Sequence, residues 1–292
     1  MRMVSLIANP AKRALDPALA ESLRNAWGGG DIVWLAPEEA AEFGVETAPA
    51  NFPEIWAECQ AMGTDLVVQP ARGRRKKMLL ADMDSTLIQQ ECIDELAAEA
   101  GLGPSVAEIT ARAMNGELEF EAALEARVAL LAGLPETIID RVLETRITYT
   151  PGGRVLAATM RKAGAFCMIV SGGFTAFTDR VAATLGFDTH KANTLLAENG
   201  VLTGQVARPI LGRDAKVTTL EEQTARLGLT PADAIAVGDG ANDLGMLGRA
   251  GTGVALHAKP SVQAGCDIRI NHGDLTALLF LQGYARSDFA PA

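Results

Sequence analysis

Met78-Leu79-Leu80-Ala81-Asp82-Met83-Asp84-Ser85-Thr86 is a short apolar run that stops abruptly on two carboxylates two residues apart. Two further runs stop the same way: Ala165–Val170 ends at Ser171-Gly172-Gly173, and Ala234–Val237 ends at Gly238-Asp239-Gly240. Val254–Leu256 and Ile268–Ile270 read as two more strands, with helical segments between most of them. Continuous apolar strands alternating with helices predict a parallel α/β sheet covered on both faces. Such sheets bind ligands beyond the carboxyl ends of their strands. The polar residues closing three of these runs are therefore the first place to look for chemistry.

The alternation breaks between about residues 90 and 150. Glu91–Ala100, Ser105–Met114, Phe120–Leu131 and Glu136–Glu144 read as helices with no strand among them, so a helical insertion after the first strand is expected. Residues 194–206 carry a hairpin signal, with Asn199-Gly200 as the turn. Upstream, residues 1–75 form a small α+β unit with three strand-like runs (Val4–Ala8, Ile32–Leu35, Leu66–Gln69) and two helices, Pro17–Trp27 capped by Asp16 and Phe52–Met62 ended by Gly63. The division expected is 1–75 and 76–292, close to two domains for a chain of 292 residues.

Composition narrows the class. Hydrophobic residues at 48% and charged residues at 21% exclude intrinsic disorder as the main state. A net charge of -10 disfavours nucleic acid as a partner, and the one basic run, Arg72-Gly73-Arg74-Arg75-Lys76-Lys77, is expected to be a solvated linker before a strand. No apolar stretch approaches the roughly 18 residues of a membrane span. Four cysteines without a CxxC pair give neither a disulfide framework nor zinc spacing. A cytoplasmic protein without a membrane partner is expected.

Asp82 and Asp84, read alone, fit a turn or a helix cap as well as a catalytic pair. Gly238-Asp239-Gly240-Ala241-Asn242-Asp243 changes the balance, because it brings two more carboxylates to what would be a neighbouring strand end. Four converging carboxylates repel one another strongly in a cleft unless a cation neutralises them. Oxygen ligands without His or Cys select Mg²⁺ over zinc. Ser171-Gly172-Gly173 offers a hydroxyl and free backbone N–H groups suited to a phosphate oxygen. Lys216 falls near the start of a helix, where the dipole opposes a cation. A surface lysine is the simplest reading of it alone, and a partner to phosphate and aspartate charges is the other.

Taken together, Asp82–Thr86, Ser171, Lys216 and Gly238–Asp243 resemble, in order, the four motifs of the haloacid dehalogenase-like phosphatases. The resemblance covers residues 78 to about 280. Glu91, Met114-Asn115-Gly116, Phe120, Arg127-Val128, Thr150-Pro151-Gly152, Phe174 and Ala192-Asn193 sharpen it toward the branch of that family acting on O-phosphoserine. The fold it implies is a Rossmann-like core with a helical cap at about 90–150, joined to an N-terminal domain resembling the ACT ligand-binding fold.

The resemblance also implies roles. Asp82 would be the nucleophile, Asp84 the general acid and base, and Asp82, Asp239 and the backbone carbonyl of Asp84 the Mg²⁺ ligands, with Asp243 supporting them. Ser171, Gly172, Lys216 and Asn242 would hold the phosphate. Glu91 would pair with the substrate ammonium and Arg127 with its carboxylate, behind an apolar wall of Met114 and Phe120. The reaction expected is hydrolysis of O-phospho-L-serine to serine and phosphate, the last step of serine biosynthesis. A phosphotransferase, a phosphatase for another small phosphomonoester, or a regulatory protein without activity are the alternatives. The chemistry requires none of the three histidines, and it leaves a homodimer open.

Overall fold

A computed structural model describes residues 1–114 and 117–291, and of Met114 the backbone alone. The chain builds a four-stranded and a six-stranded sheet. The first contains β1 (Arg2–Ala8), β2 (Val33–Ala36), β3 (Ala40–Val45) and β4 (Thr64–Pro70), with α1 (Pro17–Ala26) after β1 and α2 (Phe52–Ala61) after β3. Its order is β2-β3-β1-β4, antiparallel throughout. This is the split βαβ arrangement. Four strands are present where the sequence suggests three. The added one, β3, reads Ala-Ala-Glu-Phe-Gly-Val, which lacks a run of β-branched residues and follows β2 after a three-residue turn.

Alternation along β1 explains why this sheet is buried on both faces. Val4, Leu6 and Ala8 pack under α1 and α2 with Phe43 and Leu66. Ile7, with Val67 and Ala40, joins instead the core of the larger unit. Polar contacts reinforce that junction. The Asp65 carboxylate, completely buried, accepts the backbone N–H groups of Asn271 (2.8 Å), His272 (3.0 Å) and Gly273 (2.8 Å). Asp65→Ala strands those donors and is expected to lower the unfolding free energy by about 2–4 kcal/mol. Denaturant titration checks this, and an unchanged midpoint would show that water serves the loop equally well.

The basic run departs in part from expectation. Arg72, Gly73, Arg75 and Lys77 are exposed, as a solvated linker requires, but Arg74, Arg75 and Lys76 also make a seam. Arg74 donates to the carbonyls of Leu281 (2.9 Å) and Phe280 (3.2 Å) and pairs with Glu42 of β3. The Arg75 guanidinium lies 3.8 Å from the ring centroid of Tyr284, and Lys76 donates to the Ala232 carbonyl. Carbonyls at the C-terminal end of the helix over 277–281 attract the Arg74 guanidinium.

From here the chain runs β5 (Met78–Ala81), four helices α3 (Cys92–Glu99), α4 (Gly103–Met114), α5 (Phe120–Ala129) and α6 (Ile138–Thr145), then α7 (Gly153–Lys162), β6 (Phe166–Phe174), α8 (Thr175–Leu185) and β7 (Thr189–Asn193). A hairpin of β8 (Leu195–Glu198) and β9 (Val201–Val206) follows, then α9 (Arg213–Arg226), β10 (Ala234–Gly238), α10 (Leu244–Arg249), β11 (Thr252–Leu256), α11 (Pro260–Ala264), β12 (Ile268–Ile270) and α12 (Ala277–Leu281). The six-stranded sheet has the order β12-β11-β10-β5-β6-β7, all parallel. β7 was not foreseen, because Thr-His-Lys-Ala-Asn on a sheet edge needs no apolar run.

Both faces are covered. Leu79 and Ala81 join a core with α7, α8 and α12, whereas Met78 and Leu80 join one with Leu220, Met246 and Val262 of α9, α10 and α11. After β5 the chain adds β6 and β7 on one side, and later β10, β11 and β12 on the other. The connection reverses beside β5, and a crevice opens there at the carboxyl ends of the strands. Register puts Ala81 level with both Val237 and Ile169, so Asp82, Ser171 and Asp239 fall within one residue of the same level, although β6 does not stop at Val170 as expected but continues through Ser171-Gly172-Gly173 to Phe174. Among the described residues no helix is long and apolar enough to cross a membrane, and all four cysteines are free thiols.

Candidate active site

Asp82 continues β5 by one residue, with its N–H on the Val237 carbonyl at 3.0 Å. The backbone then turns sharply: Ser85 takes a positive φ of 55°, and the N–H groups of Thr86, Leu87 and Ile88 all aim at the Met83 carbonyl. Asp82 and Asp84 are thus held at the mouth of the crevice, both nearly buried.

Lys216 settles its own ambiguity. It lies in the first turn of α9, yet it is completely buried. Its Nζ donates to Asp82 Oδ1 at 2.7 Å and to Asp243 Oδ1 at 2.6 Å. Burial alone would depress this ammonium, but the two carboxylates outweigh it and raise its pKa. Asp82 is pushed well above the usual carboxylate range by burial and by the Asp243 charge, with Lys216 opposing. Asp243 also accepts the Gly240 N–H at 3.0 Å, which folds the loop after β10 back on itself. Gly238 permits this approach, since a Cβ there would stand 2.4 Å from the Asp243 carboxylate.

Carboxylate oxygens of Asp82, Asp239 and Asp243 lie within 4.8 Å of one another. Three carboxylates around one ammonium leave an excess of negative charge in a partly dry crevice. The donors are oxygen only, and Asp239 is raised to about 6 by burial and then by the charges of Glu91 and Asp243. A hard divalent cation fits that charge and donor set.

Asp84 points elsewhere. Its Oδ1 accepts the Cys92 N–H at 3.0 Å, at the start of α3, and its Oδ2 lies 3.5 Å from both Cys92 Sγ and Ser171 Oγ. Gly173 packs against it so closely that a Cβ would meet Oδ2 at 2.4 Å. Burial, then the Glu91 charge, lifts the Asp84 pKa to about 7, against the pull of the Cys92 N–H. Two aspartates on one loop are thereby differentiated by their partners: Asp82 faces the Lys216 ammonium, Asp84 the Cys92 N–H and the Ser171 hydroxyl. Neither Cys92 nor the Gly173 contact is signalled by the sequence, because α3 reaches Asp84 only through the fold.

Ser171 is completely buried, and its hydroxyl accepts the Gly173 N–H at 2.8 Å. Asn242 approaches the same segment of β6, its Nδ2 lying 3.9 Å from the position of a Cβ on Gly172. Phe120, from the inserted helices, rests over that segment and the entry to α9: a Cβ on Gly172 would be 3.4 Å from its ring, and one on Gly212 also 3.4 Å. Glu91 accepts from Ser85 Oγ at 2.8 Å at the rim. Arg127 Nε donates to the Ala123 carbonyl one turn back on α5, and no contact among the described residues joins it to Glu91 or to the aspartates. The expectation for the Met114 side chain lies outside the described residues.

A parallel sheet with carboxylates and a buried lysine at its switch point defines a class. Residues 79–248 match the family pattern of the haloacid dehalogenase-like hydrolases, and the chain belongs to that family. The particular relatives are narrower. A phosphoserine phosphatase of Streptomyces coelicolor is 40% identical over 298 residues, covering 99% of this chain and 72% of that protein. A solved structure of an HAD family hydrolase from Salmonella enterica serovar Typhi superposes with a TM-score of 0.86 at 31% identity, covering 96% of this chain and 97% of that one. A phospho-aspartyl intermediate analogue of a phosphoserine phosphatase superposes with a TM-score of 0.65 at 40% identity, covering 70% of this chain and 98% of that one.

Proposed function

We propose that this chain hydrolyses O-phospho-L-serine to L-serine and phosphate through a phosphoryl group carried on Asp82, with Mg²⁺ as cofactor. The observation that carries this reading is the buried Asp82–Lys216–Asp243 array beside a separately held Asp84. Relatives named phosphoserine phosphatase support the substrate. Residues 76–292 would be the catalytic domain, with its cap at about 90–150, and residues 1–75 a domain of their own.

Asp82 attacks phosphorus in line, and the P–O bond to serine breaks as the acyl phosphate forms. Asp84 gives its proton to the departing alkoxide, which its raised pKa makes available near neutral pH. In the second half it takes a proton from the water that attacks the phosphoaspartate, releasing phosphate and restoring Asp82. Lys216, Ser171, the Gly172 N–H and Asn242 would hold the non-bridging oxygens, with Lys216 also orienting the nucleophile. Mg²⁺ held by Asp82, Asp239 and the Asp84 carbonyl, supported by Asp243, would supply neutralising charge for the phosphoryl group. Glu91 and Arg127 would take the ammonium and carboxylate of the substrate as the cap closes, and Phe120 would exclude water.

Chelation is expected to abolish phosphate release and Mg²⁺ to restore it. Calcium should restore it poorly, because its larger and looser shell spoils the in-line geometry. Full turnover in metal-free protein would remove the cofactor from this reading.

Arg127→Ala tests the substrate. Loss of a charge-assisted contact to the carboxylate should cost about 2–4 kcal/mol, or roughly 30- to 1000-fold in kcat/KM for phosphoserine. p-Nitrophenyl phosphate has no carboxylate, and its hydrolysis should fall much less. An equal loss for both substrates would make Arg127 a structural residue of the cap and withdraw the main physical support for an amino-acid phosphate.

A further inference from the structure

Asn193 closes β7 at the sheet edge, opposite Phe174 and just past Ser171–Gly173 of β6. It is 3% exposed, and every part of its amide is engaged. Oδ1 accepts the Leu211 N–H at 2.7 Å, which fixes the orientation of the group. Nδ2 then donates to the Gly172 carbonyl at 2.9 Å and to the Leu211 carbonyl at 3.3 Å. One side chain therefore ties two segments that share no backbone hydrogen bond. The first is Ser171–Gly173, in the last stretch of β6. The second is the Leu211-Gly212 entry to α9, which carries Lys216 four residues further on. The same two segments supply the glycines on which the Phe120 ring rests.

We infer that Asn193 is the positioning residue that fixes the distance between these two segments, and thereby aligns Ser171 and Lys216 on the phosphoryl group. This rests on the phosphomonoesterase reading above. Asn193 touches neither substrate nor reacting atoms; it acts through the Gly172 carbonyl and the Leu211 backbone. A loose joint here would displace donors whose contacts tighten in the transition state, while leaving the groups that recognise the amino-acid end in place. The expected signature is a fall in kcat with little change in KM.

The test compares wild type, Asn193→Ala, Asn193→Asp and, as a control, Thr194→Ala, all Mg²⁺-loaded and normalised to the folded fraction from an unfolding curve. Asn193→Ala should lower kcat for phosphoserine by about 10- to 100-fold, with KM within about threefold of wild type. Its affinity for inorganic phosphate, measured by calorimetry without turnover, should weaken by about fivefold or more. Asn193→Asp is nearly isosteric and keeps the acceptor for Leu211, but it turns an oxygen toward two carbonyls; its loss should equal or exceed that of alanine. If one variant fails to fold, the other carries the comparison. Thr194→Ala removes only a hydroxyl 3.3 Å from Thr175 and should match wild type. Folded variants within twofold of wild type in both kcat and phosphate affinity would overturn the inference. A wild type that releases no phosphate from phosphoserine would instead overturn the functional reading, and the phosphate-binding arm would still decide the role of Asn193.

Discussion

Asp82→Asn is expected to reduce kcat for phosphoserine by at least about 10⁴-fold, because an amide cannot form the acyl phosphate and no neighbouring group replaces it. Asp84 is turned toward Cys92 and Ser171, and Asp243 is held by Lys216 and the Gly240 N–H, so neither is free to substitute. The fold should survive. Asparagine keeps the shape of the side chain, its oxygen can accept from Lys216, and Lys216 retains Asp243 at 2.6 Å. In chelator, the unfolding free energy should lie within about 1 kcal/mol of wild type, well below the cost of breaking a buried pair. Circular dichroism and a denaturant curve check the fold, and phosphate release checks the chemistry. Normal turnover by a folded variant would eliminate Asp82 as nucleophile.

Lys216→Met should damage both chemistry and stability, and pH separates the two. The side chain is completely buried, so methionine fills much of its volume but leaves the Asp82 and Asp243 carboxylates without their counter-charge. Removing one partner of a buried pair costs about 3–5 kcal/mol at neutral pH, measured in chelator. kcat/KM should fall by about 100- to 1000-fold with the loss of a preorganised cation. The sign of the pH effect follows from Asp82. Its pKa is already raised in the folded state, by burial first and then by Asp243, and loss of the ammonium raises it further. A carboxyl with a raised folded pKa costs stability as pH climbs above its unfolded value, about 4, and costs nothing below it. The deficit of Lys216→Met should therefore be largest at pH 7 and nearly gone at about pH 4. Denaturant titrations at both pH values test this. An equal deficit at each would assign the loss to packing rather than to charge.

The strand ends at Asp82 and Asp239 were legible from sequence, because a parallel strand buried on both faces must be continuously apolar and must stop where the crevice begins. The expected stop at Ser171 was not, because β6 runs on through Ser171-Gly172-Gly173 to pair Phe174 with Asn193 of β7. The cap helices and the Asn199-Gly200 hairpin were legible for a similar local reason: periodicity and turn chemistry are written in neighbouring residues. β3 and β7 were not. Ala40–Val45 and Thr189–Asn193 become strands through the partners beside them, and their own residues carry weak strand preference. Lys216 shows the limit most clearly. Its spacing in α9 was visible, but spacing could not distinguish a solvated ammonium from one enclosed by Asp82 and Asp243, which are 134 and 27 residues away. The same holds for Arg74, read as part of a solvated linker and found bonded to carbonyls more than 200 residues later. Sequence alone determined which residue types close which strands, and so the chemistry on offer. Tertiary structure alone decided which charges share a dry space, because burial and the pKa shifts that follow depend on segments that meet only when the sheet is assembled.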